Sequence, residues 1–329
     1  MTARPHIPGI APFGVTAEGR QVDRITLADD RLTVSLLSLG ATLQGLWLDD
    51  IAHSLTLGSD SLRDYETAAS YFGALVGPVA NRIAGASANV AGQHCRFDAN
   101  EGPTTLHSGP SGVHSHIWHL ADQSETGATF TLDLGNGLGG FPGNRQLSAR
   151  FSLPGNATLR LDLAATTDKP TPMSLANHSY WNLDGMPCWT GHRLQIAADH
   201  WLPVDARLVP TGEVRPAAAE MDFRHPRRLL AEAPALDHNF CLAAAKGALA
   251  KASTLTGASG ISMQILTTEP GLQVYDGRSP IRPGDAPYAG LALEPQLWPD
   301  ALHHPDFPNP VITPDSPYRQ TTEWRFSRR

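Results

Sequence analysis

Residues 146–163 read QLSARFSLPGNATLRLDL. Apolar side chains fall at Leu147, Ala149, Phe151 and Leu153, and again at Leu159, Leu161 and Leu163. Alternation of this kind turns every second side chain of an extended strand to the same face. Pro154-Gly155-Asn156 lies between the two runs and supplies turn-forming residues, so the stretch reads as a β-hairpin. The same period of two recurs at 31–36, 129–134, 261–265 and 320–326. Helical spacing is rare, the best cases being 61–69 and 226–233. With 30 Gly and 27 Pro spread along the chain, turns occur throughout and no linker-like block stands out. Many short strands and few helices predict an all-β fold, a large antiparallel β-sandwich formed by residues 1–329 as a single domain.

Composition narrows the function. Hydrophobic residues make up 41% of the 329 positions and charged residues 17%, which suits a chain that buries a large core. The formal charge of −7, with no long basic run, argues against a nucleic-acid partner. No stretch of about 18 apolar residues is free of polar groups; the best candidate, 74–91, contains Asn81 and Arg82, so no membrane partner is expected. The N-terminal residues lack the pattern of a secretory signal, and Cys95, Cys188 and Cys241 form neither a disulfide framework nor a zinc spacing. Reduced, buried thiols and a cytoplasmic location follow as expectations.

Two segments carry the chemistry. Residues 172–185 read PMSLANHSYWNLDG and surround His178 with amide, hydroxyl and aromatic groups. Residues 293–301 read LEPQLWPDA and place Glu294 at the end of an alternating run, just before a Pro-rich loop. A lone strand-end glutamate is ordinarily a solvated one, but functional groups concentrate at such strand-to-loop junctions. An ionised carboxylate can accept a proton from a hydroxyl, and an imidazole titrating near neutrality can supply one. Tyr180 and Trp181 offer flat apolar surface.

Further islands lie in order along the chain: YFGALVGPVANRIAG at 71–85, LHSGPSG at 106–112, LDHNF at 236–240 and EPGLQVY at 269–275. Together with the His178 and Glu294 segments, they resemble the aldose 1-epimerase (galactose mutarotase) family, and the resemblance runs from about 71 to 326. It implies a galactose mutarotase-like sandwich and a cofactor-independent enzyme. That enzyme interconverts the α and β anomers of a free aldose such as galactose or glucose by opening the ring. In the resemblance Glu294 is the base on the anomeric hydroxyl and His178 the acid on the ring oxygen. Asn81, Arg82, His107, Tyr180, Asp237 and Gln273 hold the monosaccharide. A monomer or homodimer is expected.

The chain departs from the family pattern at three places. Gly77-Pro78 stands where Gly-Arg is usual, Ser108 replaces one of two glycines after His107, and Asp276-Gly277-Arg278-Ser279 replaces a Gly-Asn-Phe stretch. These changes bear on which sugar is taken and leave the acid and base in place.

Competing motifs are weaker. His107, His114, His116 and His119 are dense enough for a metal, but no carboxylate or cysteine stands at ligand spacing, and none is expected. His303-His304 reads as a solvated loop pair. The glycines at 137–143 do not open a helix, so they form no phosphate loop. A hexose-phosphate epimerase of related fold and a non-catalytic sugar-binding or sensing protein are the alternatives. For the acid–base pair a bell-shaped pH profile is expected, its acid limb from the carboxylate and its basic limb from the imidazole.

Overall fold

The computed structural model describes residues 2–5, 7–231, 234–280 and 284–328. The 146–163 hairpin forms as read: Arg145–Ser152 pairs antiparallel with Thr158–Thr167, with Phe151 opposite Leu161. Its turn needs a left-handed backbone at Gly155, Asn156 and Ala157 (φ 91, 54 and 51°), which is why small and amide-bearing residues occupy it. Leu147, Ala149, Phe151, Leu159, Leu161 and Leu163 are buried, so the alternation points one face of both strands inward.

Among the described residues this hairpin belongs to a nine-stranded sheet. Its order is His119–Gln123, Gly127–Leu134, Arg145–Ser152, Thr158–Thr167, Tyr318–Arg328, Ile261–Thr267, Ala250–Thr256, Arg193–Ile196 and Arg227–Arg228. A six-stranded sheet runs Tyr180–Trp181, Leu291–Gln296, Gly271–Tyr275, Asp237–Cys241, His200–Trp201 and Arg215–Pro216. The two sheets share one apolar core. Trp181 of the smaller sheet packs on Trp324 and Phe326 of the larger, ring centroids 6.0 and 5.9 Å apart. A four-stranded sheet, Gly9–Val15 to Thr42–Leu48, adds Leu27, Val34 and Leu43 to the same core. This is the expected all-β antiparallel sandwich, with one four-residue helix, Leu62–Tyr65, and otherwise only short 3-10 turns among the described residues.

Three local expectations need correction. Of 61–69, only Leu62–Tyr65 is helical. The stretch 226–233, two residues of which lie outside the described set, is not a helix where it is described. Arg227–Arg228 adds a strand to the sheet edge against Arg193 and Leu194, because the unpaired edge offers backbone partners that so short a helix could not match. Of the three free cysteines, Cys95 and Cys241 are buried, but Cys188 is only half-buried.

Candidate active site

The six-stranded sheet decides where the polar side chains go. Along Leu291–Gln296, Leu291 and Leu293 enter the core, so Glu294 emerges on the opposite face. On the neighbouring strand Leu272 and Val274 enter the core and Gln273 emerges, directly opposite Glu294 in register. One strand further, Phe240 is in the core while Asp237 emerges opposite Tyr275. Three strands thus present Glu294, Gln273 and Asp237 to one side. Alternation also corrects one expectation: Tyr180 lines the site, whereas Trp181, its neighbour in the strand, is fully buried between the sheets and presents nothing to a sugar.

His178 reaches the same place between two short strands, Ala176–Asn177 and Tyr180–Trp181. Its own N–H donates to the carbonyl of Ala74 (2.9 Å), and its carbonyl accepts from Gly73 (3.0 Å). The ring lies against Tyr71, Tyr180 and His107, centroids 5.9, 4.9 and 5.1 Å away. Its Nε2 stands 3.6 Å from Oε1 of Glu294.

Arg82, His107 and Asn81 form a second wall. The backbone N–H of Asn81 donates to Nδ1 of His107 (3.1 Å), and the N–H of His107 donates to the carbonyl of Asn81 (2.9 Å). A neutral imidazole whose Nδ1 accepts must carry its proton on Nε2, so His107 is a fixed donor. Asn81 and His107 both adopt positive φ (60 and 51°), a strain that these mutual bonds hold in place. The Arg82 guanidinium grips Glu101 through Nε and Nη2 (2.6 and 2.9 Å) and lies 3.8 Å from Asp237. Gln273 donates from Nε2 to Asp237 (2.7 Å).

All the candidate residues, Asn81, Arg82, His107, His178, Tyr180, Asp237, Gln273 and Glu294, line one cavity of about 470 Å³. Sequence reasoning missed Tyr71, Glu101 and Arg278. Tyr71 begins the first quoted island and could have been found there. Arg278 falls in the segment that departs from the family pattern, lines the cavity and is held bidentately by Asp276. Nothing in the sequence marks Glu101 as the partner of Arg82.

Burial sets the protonation states. The His178 imidazole, desolvated and near His114, is pushed down to about 4. Glu294 is pushed well above the usual carboxylate range by its own burial and by Asp237, against the pull of Arg82. Burial also raises Asp237, outweighing Arg82 and Gln273. Burial thus moves the two groups in opposite directions, the carboxyl up and the imidazole down, and they titrate as one coupled pair.

Among the described residues His114, His116 and His119 join no cluster of three ligand types with His107. The cluster of ligand types that does form among the described residues is His107, His178 and Glu294, with ligand atoms within 4.8 Å of one another. It fits a metal poorly, because Nε2 of His107 already carries the proton that its bonded Nδ1 cannot. Dialysis against EDTA should therefore leave activity unchanged; loss of rate, restored by zinc, would show that this cluster does bind metal.

Comparison with known proteins identifies the family and the fold. The sequence profile of the family described as Aldose 1-epimerase matches residues 23–325. Galactose mutarotase of Bos taurus is 35% identical over 93% of this chain and 94% of its own. Aldose 1-epimerase of Escherichia coli K12 is 32% identical over 97% and 98%. Among solved structures, a GalM/aldose epimerase homologue from C. elegans superposes with a TM-score of 0.86 at 29% identity, covering 93% of this chain and 98% of that one. Galactose 1-epimerase from Lactobacillus acidophilus gives 0.84 at 25% identity, covering 97% and 98%. The chain belongs to the aldose 1-epimerase family.

Proposed function

We propose that this chain is an aldose 1-epimerase that interconverts the α and β anomers of a free monosaccharide, with Glu294 and His178 as the proton-transferring pair. One observation carries the reading: Glu294 Oε1 and His178 Nε2 lie 3.6 Å apart at the wall of the cavity. Ring opening takes a proton from O1 and gives one to O5, and both oxygens are bonded to the same carbon. A base and an acid serving them must therefore be close neighbours. Glu294 takes the O1 proton, the O1 electrons form the C1 carbonyl, and the C1–O5 pair moves to O5, which receives the proton from His178. Rotation about C1–C2 and closure on the other face, with the two groups exchanging roles, completes the turnover. Only protons and one C–O bond move, so no electron acceptor or nucleotide is called for.

Arg82, His107, Asp237, Asn81 and Gln273 hold the hydroxyls while C1 turns, and Tyr180 backs the ring. A phosphorylated sugar is less well served. Arg82 and Arg278, the cavity's arginines, are already paired with Glu101 and Asp276. We place the enzyme in the cytoplasm, working as a single folded unit, monomer or homodimer.

Polarimetry on pure anomers of galactose, glucose and arabinose is the test. Accelerated mutarotation of at least one is expected. Binding without acceleration would make the chain a sugar sensor, and a faster reaction with a hexose phosphate would favour the phosphate alternative.

A further inference from the structure

Arg82 sits on a strand of only two residues, Arg82–Ile83. One edge of that strand pairs with Thr105–Leu106, Arg82 opposite Leu106. Beyond that pairing, the Arg82 N–H donates to Oδ1 of Asn81 (2.9 Å), and Asp300 binds the backbone at two further points. Its N–H donates to the carbonyl of Arg82 (3.2 Å), and its Oδ1 accepts from the N–H of Ala84 (2.9 Å). One residue thus grips the backbone on both sides of Ile83.

Asp300 is itself unusual. It is buried, with 4% of its surface exposed, and its φ of 56° lies in the left-handed region, a conformation that strains most non-glycine residues. Among the described residues its carboxylate is met by no arginine or lysine. Instead His303 Nδ1 lies 2.7 Å from Oδ1 and His304 Nε2 3.6 Å from Oδ2. The bond to Asp300 raises the His303 pKa. These histidines read from the sequence as a solvated pair; the structure instead turns them onto a buried carboxylate, at 35 and 22% side-chain exposure. A strained, buried charge kept by its neighbours needs a reason. The position supplies one: Asp300 lies six residues beyond Glu294 on the same segment, so it ties the base's strand to the strand of the sugar-holding arginine.

We propose that Asp300, braced by His303, is a positioning residue for Arg82: it fixes the backbone from which the guanidinium reaches Glu101, Asp237 and the sugar. The inference rests on the epimerase reading for its effect on substrate, and on geometry alone for its effect on Arg82. Asp300 does not touch the reacting atoms.

The test combines kinetics with a spectroscopic signal. Asp300→Ala should raise KM about tenfold, the scale of one lost bond that orders a charged group, while kcat stays within about twofold. Asp300→Asn suits the left-handed backbone and keeps an oxygen for the Ala84 N–H, so it should raise KM only about threefold, and it carries the test if the alanine variant fails to fold. In an Arg82→Ala background the Asp300 substitutions should add less than about twofold, because the group they position is gone. Equal effects in both backgrounds, or an unchanged KM in a folded variant, overturn the proposal. Independently of activity, the NMR signal of the Arg82 Nε–H, held on Glu101 in the ligand-free protein, should move toward that of a solvated arginine in either variant. If the wild-type protein accelerates no anomer, the epimerase reading fails, and this signal alone decides the role of Asp300: an unmoved resonance refutes it.

Discussion

Glu294→Gln should fold, melt higher than wild type above neutral pH, and lose mutarotation by about 10³-fold, within the range that one positioned proton-transfer group supplies. The amide keeps the shape of the carboxyl and cannot accept the O1 proton. The effect on stability has the opposite sign to the effect on activity, and linkage gives its pH window. The folded pKa of Glu294 is raised above its ordinary value by burial and by Asp237. The folded state therefore holds a proton that the unfolded chain has already released, so stability is fully present below about 4.5 and declines as pH rises through the raised value. Glutamine carries no such penalty, and the melting-temperature advantage of the variant should widen from pH 5 to pH 9. Thermal melts at several pH values, beside polarimetry, check both parts. A variant within a few-fold of wild-type activity would remove Glu294 as the base. A melting advantage that does not change with pH would show that the carboxyl is not buried in its raised state.

His178→Asn should lower the rate by about 10²–10⁴-fold and remove the alkaline limb of the pH profile. The free pair carries one proton across a window bounded below by His178, at about 4, and above by the raised pKa of Glu294. Below that window a second proton enters and the pair has no base; above it the single proton leaves and the pair has no acid. Inside it, shifting the proton between carboxyl and imidazole provides the state that starts either direction of the reaction. The limbs belong to the coupled pair and not to either residue alone. Without His178 the remaining carboxyl can act only as the base, so the rate should rise with pH as Glu294 ionises and the alkaline fall should vanish. His107→Asn should lower the rate and keep both limbs, since His107 is a fixed donor buried far from its ordinary titration range. If the alkaline limb survives in the His178 variant and disappears in the His107 variant, the two histidines have exchanged roles.

Much of the fold was legible because alternation is a local property. The runs at 129–134, 146–163, 261–265 and 320–326 each carry their inward face in their own sequence, and each became a strand with that face buried. Weak local signals gave way to tertiary context. The stretch 226–233 has a helical spacing too short to stand alone, and a free sheet edge claimed Arg227–Arg228. Trp181 looked like a sugar platform beside Tyr180, and strand geometry turned the two to opposite faces.

For the site, the sequence by itself determined the residue types and the order in which they come. His178 in its amide-rich turn, Glu294 at a strand end, and the Asn81-Arg82, His107, Asp237 and Gln273 islands were all readable before any coordinates. Only the tertiary structure decided what those residues face. Register across three strands set Gln273 opposite Glu294 and brought Asp237 to the same side, and long-range pairing carried His178 to 3.6 Å from Glu294. Burial then pushed the Glu294 carboxyl up and the His178 imidazole down, and the fold brought His303 onto Asp300. A sequence fixes a side chain's chemistry within a few residues of itself. Desolvation and neighbouring charge come from segments a hundred or more residues away, and those two quantities decide whether a carboxyl is base, acid or brace.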